Sequence, residues 1–205
     1  MDEDNSLTIE AYEHSLEKYN AAAIPEVIGS VKHWVDISLS LLPQGARILE
    51  LGSAHGRDAA YMEAKGFEVR RTDAASSFVK YMRKQGHDAH ILNALSDQYG
   101  GPYEMVYANA VLLHFTAEQT KIVFQKAYET LAPRGLFSFS VKIGDGEAWS
   151  EAKLNSPRYF AYWREQALKE LIESSSFEIV LWEEGHTGHD NGDWYHVIML
   201  RSSES

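Results

Sequence analysis

The apolar positions change character along the chain. Over residues 1–44 they recur at helical spacing: Ile9, Tyr12, Leu16, Tyr19 and Ala23 are three and four residues apart and share one stripe of a helix. Pro25 suits the first turn of a second helix, along which Ile28, Val31, Val35 and Leu42 continue a similar stripe until Pro43 and Gly45 end it. Short aliphatic runs then alternate with helical stretches. The run at 47–51 predicts a strand, 57–65 a helix stopped by Gly66, 67–72 a strand, 76–85 a helix, and 89–92 and 103–108 two more strands. Thr116 and Gln119 have the spacing of a capping box, which predicts a helix from there to about residue 131. Pro133-Arg134-Gly135 predicts a turn before a fifth strand at 136–141.

The end of the chain departs from this alternation. Residues 177–184 and 194–201 both look like strands, and the short polar stretch between them holds three glycines, Gly185, Gly188 and Gly192. A parallel crossover needs about a dozen residues or more, so these two strands are expected to form an antiparallel hairpin. The whole predicts an α/β fold of three layers: a doubly wound, mostly parallel seven-stranded sheet whose last strand is antiparallel. We expect a single domain over 1–205, with N-terminal helices at 1–44, a cofactor-binding half at 45–142, and a substrate-side segment, helix and hairpin at 143–205.

Composition narrows the function. Cysteine is absent, which excludes disulfides, thiolate metal sites and a cysteine nucleophile. The start, Met-Asp-Glu-Asp-Asn-Ser, is acidic and not a secretory leader, and no stretch approaches the roughly 18 apolar residues of a membrane span. These features predict a cytoplasmic protein with no membrane partner. The net charge of −11, with no basic run beyond Arg70-Arg71, argues against nucleic acid, whose affinity comes from cations on phosphates.

The chemistry concentrates between the first strand and its helix. In Glu50-Leu-Gly52-Ser-Ala54-His-Gly56-Arg-Asp58 the glycines permit a tight turn and a ligand close to the backbone. Asp73 ends the second strand, where a carboxylate can accept from both hydroxyls of a ribose. A dinucleotide site and a methyl-donor site both satisfy this much. The dinucleotide fingerprint G-x-G-x-x-G fails twice, at Ala54 and Arg57, and the terminal hairpin does not belong to the six-stranded dinucleotide fold.

From about Tyr12 to Arg201 the chain resembles the class I S-adenosylmethionine-dependent methyltransferases of the bacterial small-molecule type. Their first motif, an acid followed by G-x-G-x-G, corresponds to Glu50, Gly52, Ala54 and Gly56, with Ala54 a departure. Asp73 matches the ribose-binding acid, and Asn93-Ala94-Leu95 matches the segment bordering adenine, with Asn93 where the family usually has Asp. Tyr107-Ala108-Asn109-Ala110 matches the end of the fourth strand, and Ala132-Pro-Arg-Gly135 the turn before the fifth. The resemblance implies S-adenosyl-L-methionine as cofactor. It would be held by Glu50, Gly52, Ser53, Ala54, Gly56, Arg57, Asp58, Asp73, Ala74, Asn93, Ala94, Leu95, Ala108 and Asn109. Tyr12 and Tyr19 either close over the donor, as aromatic residues do in related enzymes, or pack the helix against the core.

The methyl group passes by in-line displacement, which needs positioning and no covalent intermediate. His114, after the fourth strand, is a candidate base because its ordinary pKa is near neutrality, or else a structural histidine or a wall of the donor pocket. The segment Lys142-Ile-Gly144-Asp-Gly146-Glu147 followed by Arg158-Tyr-Phe resembles a methyltransferase subgroup, and its glycines suit a lid. Glu147, Arg158 and Tyr159 are the remaining catalytic candidates, with Arg158 suited to an anionic group on the acceptor; Phe160 and Trp163 are expected in the core of the next helix. His186, His189 and Asp190 are too few and too glycine-flanked for a metal site, and no metal is expected. The expected partner is a small-molecule acceptor, and the chain a monomer or homodimer. A nicotinamide-dependent oxidoreductase and a non-catalytic S-adenosylmethionine-binding regulator are the alternatives, the latter favoured by Ala54 and the lack of an unmistakable base.

Overall fold

A computed structural model describes residues 3–186 and 193–202. Three helices come first: α1 (Glu3–Glu13), α2 (Leu16–Ala22) and α3 (Gly29–Ser40). The sequence predicted two, with Pro25 in the first turn of the second. Pro25 instead precedes α3 by four residues, in the connection from α2. The apolar stripe survives the break at His14–Ser15: Tyr12 and Tyr19 meet edge to face at 6.0 Å and both rest on Phe78. Periodicity reports the buried surface, which two short helices can share.

The central region alternates as predicted: β1 (Arg47–Glu50), α4 (Arg57–Ala64), β2 (Glu68–Asp73), α5 (Ser76–Lys84), β3 (Ala89–Ile91), β4 (Tyr103–Ala108), a 3-10 turn at Leu112–His114, α6 (Ala117–Thr130) and β5 (Leu131–Lys142). The capping box of α6 is complete, with Thr116 and Gln119 bonded reciprocally. The expected turn at Pro133-Arg134-Gly135 is an interruption inside β5. Leu131 pairs with Tyr103 and Leu136 with Met105, so residues 132–135 bulge out, with Arg134 at φ +62°.

A two-stranded antiparallel ribbon follows, β6 (Glu147–Ser150) and β7 (Arg158–Ala161), then α7 (Glu165–Glu173), β8 (Phe177–His186) and β9 (Asp193–Arg201). The ribbon corrects the sequence reading of residues 158–163. Phe160 lies in β7, and Trp163 is buried just ahead of α7. The aromatic run Arg-Tyr-Phe-Ala suits a pleated, buried strand better than a helix.

The main sheet runs β3-β2-β1-β4-β5-β9-β8. β1 to β5 are parallel, and the reversed β9 pairs antiparallel with both β5 and β8. This is the predicted three-layer architecture. One face is covered by α6 and α7, where Phe124, Phe137, Phe139 and Phe177 interlock with centroids 5.3–6.3 Å apart. The other is covered by α3 and α4 through Trp34, Val35, Leu39 and Met62. Each such buried side chain stabilises the fold by roughly 1.5–3 kcal/mol. Strand order reverses direction between β1 and β4, and in open α/β sheets ligands bind at that switch, beyond the carboxyl ends of the strands.

Candidate functional site

A crevice of about 950 Å³ opens there. Its floor is the turn after β1. Gly52, Ala54 and Gly56 all take positive φ, at +68°, +47° and +85°. A side chain on Gly52 would meet Val111 Cγ2 at 2.5 Å, and one on Gly56 would meet the Arg71 guanidinium at 2.4 Å. Ala54 holds a left-handed conformation that costs an L-residue about 1–2 kcal/mol, and its amide donates to Asp73 Oδ2 at 2.9 Å. Ser53 is tied to β2 by two bonds: its amide donates to the Thr72 carbonyl (2.8 Å) and its Oγ accepts from the Thr72 amide (3.0 Å). Buried Arg71 clamps the turn from beneath, donating to the Gly56 carbonyl at 3.1 Å and to both oxygens of Glu63 at 3.0 and 2.6 Å.

Asp73 ends β2 with its carboxylate at the crevice. Each oxygen accepts one backbone N–H, from Ala54 and from Ala75, both at 2.9 Å, which leaves each a further acceptor position. Burial pushes its pKa up to about 6 against those two bonds, so it is an anion at neutral pH. Asp58, in the first turn of α4, accepts from Tyr107 Oη (2.9 Å), Asn109 Nδ2 (2.8 Å) and Arg57 Nε (2.6 Å). Asn109 Oδ1 in turn accepts from Ser140 Oγ, which accepts from the Ala110 amide, so this network fixes the end of β4. Burial and the neighbouring Asp58 raise the Glu50 carboxyl to about 8, so it keeps its proton at neutral pH.

Asn93 lies at the far end beside Ala94. Its Oδ1 accepts from the Leu95 amide, and its Nδ2 donates to Asn5 Oδ1 of α1, both at 2.9 Å. Glu13, at the end of α1, accepts from the Ser77 amide and Ser76 Oγ, capping α5; these bonds outweigh burial and lower its pKa. Thus α1 is bolted across the crevice at both ends, and its middle carries Tyr12.

Tyr12 joins a directional chain. The His114 Nδ1 lies 2.7 Å from the Tyr159 carbonyl, which accepts only, so Nδ1 carries the hydrogen and Nε2 is the acceptor. Tyr12 Oη donates to that Nε2 at 2.8 Å and accepts from Arg158 at 3.2 Å. Burial lowers His114 to about 4, so the ring is neutral with both nitrogens engaged.

The crevice wall contains Glu50, Gly52, Ser53, Ala54, Arg57, Asp58, Asp73, Ala74, Asn93, Ala94, Asn109, Tyr12, Tyr19, His114 and Arg158. Two catalytic candidates lie elsewhere. In the β6–β7 ribbon, Arg158 and Phe160 face the crevice, and alternation sends Tyr159 to the opposite side, where its ring packs on Trp149 at 5.9 Å. Glu147 is exposed on β6, paired with Ala161. Neither Glu147 nor Tyr159 is among the residues lining the crevice. Gly56, Leu95 and Ala108 are not among the lining residues. Lys142, named in the sequence only as the head of its segment, lines it together with Phe78, Tyr162 and Trp194, which were not singled out; only chain topology brings them together. His186 is exposed and pairs with Asp193 at 2.5 Å. His189 and Asp190 lie outside the described residues. Among the described residues no helix is long and apolar enough to cross a membrane.

Residues 12–181 match the family model of the methyltransferase domain. The chain belongs to this methyltransferase family. Solved structures of similar fold include the Burkholderia thailandensis 1,6-didemethyltoxoflavin N1-methyltransferase with its substrate and S-adenosylhomocysteine bound, at 17% identity and TM-score 0.73 over 97% of this chain and 87% of that one. Another is the magnesium protoporphyrin IX methyltransferase of Synechocystis PCC 6803 with S-adenosylhomocysteine, at 14% identity and TM-score 0.73 over 97% of this chain and all of that one. A methyltransferase of Methanosarcina mazei matches with TM-score 0.72 and 15% identity over 82% and 98% of the two chains. Among functionally curated proteins, no sequence match is found.

Proposed function

We propose that the crevice holds S-adenosylmethionine along the carboxyl ends of β1, β2 and β4 and a small-molecule acceptor on the side of β5 and β7. The observation that carries this reading is Asp73: a buried carboxylate with an acceptor position left on each oxygen, at the edge of a crevice floored by the Gly52–Gly56 turn. That geometry fits the two donating hydroxyls of a ribose. The volume is at the upper end of the roughly 300–1,000 Å³ range of ligand sites, which leaves room for an acceptor beside the donor.

When bound, the donor supplies an electrophilic methyl on a sulfonium. The chain's own residues position and exclude water. Asp73 takes the ribose, Asn93 and Ala94 border the adenine, and Tyr12 and Tyr19 close the crevice from α1 and α2. His114 acts as an anchor for that closure, because its Nε2 is occupied by Tyr12 and its basicity is suppressed by burial. Calorimetric titration with S-adenosylhomocysteine and with NAD tests the reading: tight binding of the former alone supports it, and preference for NAD overturns it. One solved neighbour of the fold, at 14% identity, is described as a 4+2 cyclase, so methyl transfer is assayed separately from donor binding.

A further inference from the structure

Charge is unevenly distributed around the crevice. Its buried carboxyls, Glu50, Asp58 and Asp73, all lie on the side of β1, β2 and α4. The opposite side carries Arg158 of β7 and Lys142 at the end of β5, with Lys153 of the β6–β7 connection over the Tyr19 ring. Arg158 is only 5% exposed, yet it has no carboxylate partner among the described residues. Its guanidinium donates to Tyr12 Oη and to the Ala152 carbonyl, and its Nε is buried with no hydrogen-bond partner among the described residues. A buried guanidinium without a counter-ion is unfavourable and is ordinarily paired. The Lys142 ammonium likewise makes no ion pair or hydrogen bond among the described residues, although the Lys142 carbonyl accepts from the Trp163 amide. The Lys142 Nζ sits 5.7 Å from the Phe160 ring centre and 5.3 Å from that of Trp194. The Arg158 guanidinium lies 5.0 Å from the same Phe160 ring. Two uncompensated cations therefore flank one aromatic surface, in a chain whose net charge is −11. Their field also reaches His114, whose charged form both disfavour.

We propose that the acceptor is a ring-bearing small molecule with an acidic head group, whose anion is taken by Arg158 and Lys142 and whose ring lies against Phe160 and Trp194. This rests on the reading that the rest of the crevice holds S-adenosylmethionine. The α-carboxylate of the donor itself has the same chemistry, so the experiment separates the two sources.

The protein is saturated with S-adenosylhomocysteine and titrated with 2-naphthoate, 2-naphthyl phosphate and uncharged 2-naphthamide, each followed by ligand-observed NMR. At least one of the two anions is expected to bind ten or more times more tightly than the amide. Lys142→Gln is expected to remove most of that preference while changing S-adenosylhomocysteine affinity less than twofold. Arg158→Gln risks the fold, and Lys142→Gln, at a half-buried side chain with no polar partner among the described residues, does not. Equal or undetectable binding of anions and amide overturns the proposal. So does a loss of S-adenosylhomocysteine affinity in Lys142→Gln with the anion preference intact, which assigns the cation to the donor's carboxylate. Failure of S-adenosylhomocysteine to bind the unmodified protein overturns the donor reading instead, and is seen before any naphthalene is added.

Discussion

Donor binding should depend on pH through Asp73. In the folded chain, burial holds this carboxyl at about 6 against an ordinary 3.8. The folded state therefore keeps its proton better than the unfolded state. The ionised carboxylate costs stability above pH 6, on the order of 3 kcal/mol, and the cost fades as pH falls toward 4. Ribose hydroxyls donate to the anion, so binding draws on the ionised form and recovers part of that cost through charge-assisted bonds of roughly 1.5–3 kcal/mol each. With the pKa near 6, about nine-tenths of the sites are ionised at pH 7 and about one-tenth at pH 5, so affinity should fall about tenfold between them. Three other carboxyl and imidazole groups near the crevice, Glu50, His114 and Glu13, keep their charge state in this window. Glu50, at about 8, remains protonated, and His114, at about 4, remains neutral. Glu13, the charged neighbour of Asp73, is lowered and remains ionised. The assay is calorimetric titration of S-adenosylhomocysteine at half-unit steps from pH 5 to 7. In Asp73→Asn the slope should vanish and affinity at pH 7 should drop at least about tenfold, because the new amide opposes a backbone donor at Ala54 or Ala75. A dissociation constant that stays within twofold from pH 7 to 5, or a variant that keeps the slope, refutes the role assigned to Asp73.

Other consequences are more local. Tyr12→Phe strands the buried His114 Nε2 and removes an acceptor from Arg158; stability should fall by about 1–3 kcal/mol in calorimetry, with faster proteolysis between α1 and α3. Gly52→Ala forces a methyl against Val111 and a positive φ on a non-glycine residue, so Gly52→Ala/Val111→Ala should recover only part of the lost melting temperature, leaving a conformational penalty of about 1–2 kcal/mol. Arg71→Ala leaves the half-exposed Glu63 and the Gly56 carbonyl without their buried cation and should cost about 1–3 kcal/mol by denaturant unfolding, with Arg71→Lys restoring little because lysine has no planar fork. The ring protons of His114 should show no titration between pH 5.5 and 8 by NMR; an inflection in that range would contradict its engaged, neutral state.

The sheet was legible from one dimension because its signals are local. The aliphatic runs at β1 and β4, the capping box of α6 and the short glycine-rich link between β8 and β9 each depend on neighbours within a few residues, and together they specify a mostly parallel sheet with a reversed last strand. The turn side of the crevice was legible for the same reason, since the Gly52–Gly56 turn and Asp73 occupy the ends of adjacent strands. The opposite side was not. Whether Arg158 or Tyr159 faces the crevice depends on the pleat of a β6–β7 ribbon that no periodicity announced, and one residue of register exchanges them. Lys142 and Trp194 meet because β5 and β9 pair antiparallel, over fifty residues apart in sequence. Glu13 caps a helix sixty-three residues away, and Tyr12 reaches His114 across one hundred and two. Contacts of that span leave no pattern in the chain, because only the closed sheet brings their side chains within reach.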